Sequence, residues 1–246
     1  MSGLLLPDAE IRGFVFASFE WLLSGFGGLE QLVQGTRLVT PTYRDFPVYP
    51  GLEEQDLVED YFAFVREHAG IAPELRFELV GMRRGLRDFQ ERLESVPRRL
   101  PVAYPAEAIA DPELLVAYEA RGALQHLIQT LPRCPPGGWD MVGPAAEVAT
   151  VFSGFGLFLT NTGQRVRRGQ RPIPLGLRGR WHLSQRALAY ALAVFGWIKE
   201  IPDRLILSYL APNPQAFYRA AVRDLGRRGP ELTELRGCVA HHGPYR

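Results

Sequence analysis

Apolar residues recur at helical spacing from Ile11 through Phe14, Val15, Phe19 and Leu22, with Ser18 on the same face. This predicts an amphipathic helix N-capped by Asp8 and running to about Ser24. Gly25, Gly27 and Gly28 end it, Leu29 to Val33 reads as a short helical turn, and Thr36 to Thr40 as a short extended segment. Pro41, Pro47 and Pro50 then forbid regular structure up to Gly51. A second helix is predicted over Glu53 to His68, with Leu57, Tyr61, Phe64 and Val65 as its buried stripe. Glu74 to Val80 places Leu75, Phe77 and Leu79 on one side, the period of a half-buried strand, and Leu100 to Tyr104 fits another short strand. Between them, Gly81 to Arg99 alternates arginines with Asp88, Glu91 and Glu94, the pattern of an exposed helix or hairpin arm.

Asp111 and Pro112 supply an N-cap and a first helical residue for a helix to about Leu131 carrying Leu114, Leu115, Tyr118, Leu127 and Ile128. After a turn-rich break at Cys134 to Gly138, a third long helix is predicted from Pro144 to Leu159, with Val148, Val151, Phe152, Phe155 and Phe158 inward. Gln164 to Arg180 reads as a long loop. Ser184 caps a helix to Lys199, whose stripe is Ala187, Leu188, Ala191, Leu192, Phe195 and Ile198, with Trp197 at its edge. Shorter helices follow at Asp203 to Leu210, Pro214 to Gly226 and Pro230 to Leu235. The expected architecture is α+β and mostly helical, with a small sheet in the N-terminal half. Residues 1–236 are read as one domain and 237–246 as a polar tail.

With 246 residues, of which 46% are hydrophobic, the chain can bury a sizeable core, which excludes whole-chain disorder. Its net charge of +1 provides no global field for nucleic acid or an anionic membrane. Lys199 is the only lysine, so nearly all the positive charge is arginine. Cys134 and Cys238 are too few for a disulfide framework and are expected to be reduced. Met1 to Pro7 lacks the basic and long apolar regions of a signal peptide. The best apolar run, Ala187 to Ile198, is shorter than the ~18 residues a membrane span needs. The expectation is a cytoplasmic protein without a membrane partner.

Strong catalytic signatures are absent. Gly154-Phe155-Gly156 lies in a helical pattern and is no dinucleotide loop, and the sequence has no Walker loop, GxSxG elbow or HExxH. Cys238, His241 and His242 have metal-capable side chains but lack a second ligand pair, so they read as a solvated tail. Arg165, Arg167, Arg168, Arg171, Arg178 and Arg180 beside Trp181 could bind phosphate or stack on bases. The balanced charge makes a solvated loop paired with acidic helices the simpler expectation, with at most weak, non-specific binding of nucleic acid.

Several segments together carry a family resemblance. Trp21-Leu22-Leu23 with Phe26-Gly27, Pro41-Thr42 and Phe46-Pro47 resembles the opening of an uncharacterised bacterial family of zinc-metallopeptidase-like, zincin-like proteins. Asp111 to Ala117 resembles the lead-in to that family's HExxH helix, Pro144 to Asn161 its next helix, and His182-Leu183-Ser184 with Tyr190 to Ala193 its fourth. The match extends over most of the chain to about Leu225. It implies zincin-like helices and, in intact members, two histidines on one helical face holding zinc around a glutamate base.

Here the motif positions fall on Arg121, Gly122 and Gln125, so both histidines and the glutamate are missing. The acidic third ligand maps to Glu147, and Arg121 could pair with it across facing helices. The resemblance therefore implies a pseudoenzyme without a cofactor, binding another protein or a small ligand. Two alternatives remain at this point. One is a hydrolase with a relocated metal site or a metal-independent one, using Glu119, His126 and Glu147; the other is phosphate or nucleic-acid binding through Arg165 to Arg180 with Trp181.

Overall fold

Two helices begin where the sequence offers a short side-chain acceptor. In the computed structural model, which describes residues 5–42, 45, 54–82, 99–169 and 182–238, the Asp111 carboxylate accepts the Leu114 N–H at 3.3 Å. Ser184 Oγ accepts the Ala187 N–H at 3.1 Å. Asp8 holds the cap position of the first helix without a side-chain hydrogen bond. The helices are α1 (Ala9–Gly25), α2 (Gly28–Gly35), α3 (Glu54–His68), α4 (Pro112–Ile128), α5 (Val142–Thr150), α6 (Gly156–Gly169), α7 (Gln185–Ile198), α8 (Asp203–Tyr209), α9 (Pro212–Leu225) and α10 (Gly229–Gly237). With one small sheet, this is the mostly helical α+β architecture expected from the sequence.

The strands β1 (Phe77–Met82) and β2 (Leu100–Pro105) pair in parallel, with Phe77 opposite Leu100 and Met82 opposite Pro105. Parallel strands cannot be joined by a tight turn. The Arg-rich residues 83–98 between them lie outside the described residues. β2 lies on α4, which also packs against α3, α5 and α6. One apolar cluster runs from Val15 of α1 to Leu235 of α10. The helix expected to show a single stripe, α7, is buried on nearly every side: Ala187, Ala189, Ala191 and Ala193 are all inaccessible, and their small size admits α6, α9 and α1. Trp197 stays half-buried at its edge beneath the Arg236 guanidinium, 4.3 Å from the ring centroid. The packed chain extends past the expected boundary at 236, since α10 includes Gly237 and Cys238 packs on the core. Cys134 and Cys238 are both free thiols.

The single helix expected from Pro144 to Leu159 is broken. Val151–Phe155 forms a π-helical turn, and within it Gly154 takes φ 92°, a left-handed backbone that an L side chain rarely adopts. The break turns the Gly154 carbonyl outward to accept the Val39 N–H at 3.0 Å, docking the extended Leu38–Thr40 segment on the core. The helix then resumes and continues to Gly169, so residues 164–169, expected as loop, have helical backbone. Trp139–Gly163 is long and apolar enough to cross a membrane by length and composition, unlike the shorter run Ala187 to Ile198, but 94% of its most apolar 18-residue window is buried inside the fold. At its far end Asn161 fixes the α8–α9 turn, donating from Nδ2 to the Tyr209 carbonyl and accepting the Ala211 N–H, both at 2.9 Å.

A Cβ at position 154 would run into the Arg37 carbonyl oxygen as well as straining the backbone. Gly154→Ala is expected to destabilise the protein by about 2 kcal/mol or more, read as a lower urea midpoint with an unchanged m-value. An unchanged midpoint would show that the break is not required.

Candidate functional site

Three of the residues singled out from the sequence meet where α4 faces α5. Arg121 donates from Nε to Glu147 Oε1 at 3.3 Å and from Nη1 to Gln125 Oε1 at 3.2 Å. The spacing of four residues puts Arg121 and Gln125 on one helical face, and α5 presents Glu147 to it. Glu147 is only 3% exposed, so its carboxylate needs compensation on the spot. Besides Arg121 it accepts His182 Nδ1–H at 2.5 Å on Oε1 and the Leu183 backbone N–H at 2.6 Å on Oε2. His182 and Leu183 lead into α7, so one carboxylate ties three parts of the fold together.

The sequence gives His182 no site role beyond its place in the resemblance. The signal that could have found it is the short stretch before the Ser184 cap, which must approach the α5 face for α7 to pack centrally.

Gly122 lies on another side of α4, toward β2. A Cβ there would stand 2.8 Å from Val102 Cγ1, so this glycine is explained by close strand–helix packing and the position does not open into a cleft. His126 serves the same contact: its Nε2 lies 2.8 Å from the Pro101 carbonyl oxygen, which can only accept, so Nε2 carries the proton. Burial lowers the pKa of this ring despite that hydrogen bond, which favours the neutral form.

Glu119 is fully buried, and neither carboxylate oxygen has a hydrogen-bond partner. Burial raises its pKa well above the usual carboxylate value, which favours the neutral acid. Glu119, His126 and Glu147 therefore do not form a shared site. Among the described residues, no three histidine, cysteine or acidic side chains are placed to hold a metal ion.

The arginine segment divides at Gly169. Arg165, Arg167 and Arg168 lie on helical backbone at the end of α6, while Arg171, Arg178, Arg180 and Trp181 lie outside the described residues, as do His241 and His242. No family model, curated protein or solved structure matches the chain, so the metallopeptidase-like resemblance rests on the residues that suggested it.

The unpaired acid has a pH signature. Because folding raises the Glu119 pKa, its contribution to stability is intact below the unfolded value near 4.5 and is lost as pH rises toward the folded value. Glu119→Gln, which cannot ionise, is expected to gain on the wild type from about pH 5 upward, by at most about 1.4 kcal/mol per pH unit. Urea midpoints at stepped pH measure the gap, and parallel curves for the two proteins would show that Glu119 does not titrate as described.

Proposed function

We propose that this chain is a non-catalytic protein on a metallopeptidase-like scaffold, acting by binding another protein or a small ligand. One observation carries the reading: the Arg121 guanidinium lies between Gln125 and Glu147, on the positions where the resemblance puts zinc ligands. A zinc ion needs deprotonated sulfur, carboxylate or neutral imidazole donors, and a fixed guanidinium both lacks a lone pair and repels the cation. Glu147 and His182 are competent ligands, yet they are already bonded to each other. The residues present therefore do not fit zinc, and no catalytic step is derived through a metal.

A relocated hydrolytic site has less support, because His126 is bonded to the Pro101 carbonyl and both Glu119 carboxylate oxygens are buried without a hydrogen-bond partner among the described residues. Binding to nucleic acid through Arg165, Arg167, Arg168, Arg171 and Trp181 draws no support from the net charge of +1.

The reading is tested by zinc content after equilibrium dialysis. The wild type is expected to retain far less than one zinc per chain. Arg121→His with Gln125→His, leaving Gly122 in place because of Val102, is expected to take up about one zinc per chain, held with Glu147 and His182. Stoichiometric zinc in the wild type would overturn the proposal. No uptake by the folded double variant would reject the ligand positions.

A further inference from the structure

Two surface helices carry charge of opposite sign that the fold leaves unpaired. On α3, the positions of Asp56, Asp60 and Glu67 recur at helical spacing, so they share one face, and Glu59 stands beside them. All four are exposed. The basic side chains of the same helix are engaged elsewhere: Arg66 donates to the Ala72 carbonyl and lies over the Phe77 ring, and His68 is bonded to the Arg37 carbonyl.

The basic counterpart is on α9. Arg219 and Arg223 lie one turn apart, Arg227 follows in the turn after Leu225, and all three are exposed, as is Arg204 on the adjoining α8. The acids of these two helices already have partners, since Asp203 accepts from Tyr218 at 2.9 Å and Asp224 accepts from Tyr190 at 2.8 Å and from Arg228 at 2.7 Å. Among the described residues, no ion pair engages the four α3 carboxylates or the four α8–α9 guanidinium groups.

The packing order keeps the two sets apart. α3 packs on α4, α4 on α6, α6 on α7 and α7 on α9, which puts the acidic and basic faces at opposite ends of the succession. They do not neutralise each other within one molecule, yet each complements the other on a second molecule. With 15 and 14 residues, α3 and α9 are also matched in length, each roughly 21 Å long. The net charge of +1 leaves little overall repulsion between copies.

We propose that the α8–α9 face of one copy docks on the α3 face of a second copy of this chain, a head-to-tail contact held by arginine–carboxylate pairs. A nucleic acid would meet only the basic face and leave the acidic one without a counterpart, so the matched faces favour a second copy. Because the two faces differ, two copies do not close the contact, and each end stays open to a further copy. Exposed pairs are individually weak and screened by salt, so the assembly is transient and salt-sensitive. The inference goes beyond the scaffold reading and does not depend on it, because neither face includes a residue of the Arg121–Glu147 contacts.

Sedimentation velocity of the full chain at ~0.01 M and ~1 M salt tests the contact without any variant. At low salt the average sedimentation coefficient is expected to rise with protein concentration, and at high salt to stay at the monomer value. Arg219→Gln with Arg223→Gln and Arg227→Gln, and separately Asp56→Asn with Asp60→Asn and Glu67→Gln, change exposed positions only and are each expected to weaken self-association by about tenfold. An equimolar mixture of the two variants is expected to recover the contact and to stop at one copy of each, since a single complementary pair of faces remains. A wild type that stays monomeric at low salt up to about 1 mM, association that persists at high salt, association unchanged in either variant, or a mixture that behaves as the sum of its parts would each overturn the proposal. Capture of a labelled duplex DNA by the wild type and not by the arginine variant, at concentrations where the chain itself is monomeric, would assign the basic face to nucleic acid and likewise overturn it.

Discussion

A carboxylate removed from water has to be neutralised where it lies, and Glu147 imposes that condition at the junction of α4, α5 and the start of α7. A guanidinium, an imidazole N–H and a backbone N–H meet it together. Leaving such a charge uncompensated costs several kcal/mol, so the approach of the three segments cannot be relaxed one at a time. The same demand fixes the side chain of Arg121, which is 14% exposed and braced by Gln125 one turn further along α4. A metal ion at this junction would perform the same mechanical task, linking helices through a shared charge. The guanidinium does it through its own fixed charge.

Glu119 and Glu147 show two answers to one physical problem. Both are almost inaccessible, yet Glu147 is surrounded by donors and Glu119 by none. The first organises its neighbours through the hydrogen bonds it accepts; burial pushes the pKa of the second well above the usual carboxylate value, which favours its neutral form at a cost in stability that grows with pH. Two buried carboxyls on adjacent helices are therefore not by themselves a catalytic pair. The environment of each assigns it a different task.

Helix positions were legible in the sequence wherever capping and periodicity agreed. Asp111-Pro112 and Ser184 start helices as expected, and α3, described from Glu54, ends at His68 as predicted. The break at Gly154 was not legible, because the apolar period runs through it unchanged; its cause is the Arg37 carbonyl and the Val39 N–H, more than a hundred residues away in the chain. The parallel pairing of β1 and β2 was hidden for a related reason, since alternation specifies a strand's faces and not the direction of its partner. At the site, the i,i+4 relation of Arg121 and Gln125 and the acidic character of Glu147 were visible in the sequence. The closing contribution of His182 was not, because it depends on how the start of α7 meets α5.

The Arg121–Glu147 ion pair holds the α4–α5 junction through charges of the chain itself. A double-mutant cycle on stability in metal-free buffer tests it most directly, with Arg121→Met, Glu147→Gln and the combined variant measured by urea unfolding. The account predicts a coupling energy of about 1.5 kcal/mol or more, with the double variant more stable than the sum of the single losses implies. Single losses that simply add, within about 0.5 kcal/mol, would contradict it.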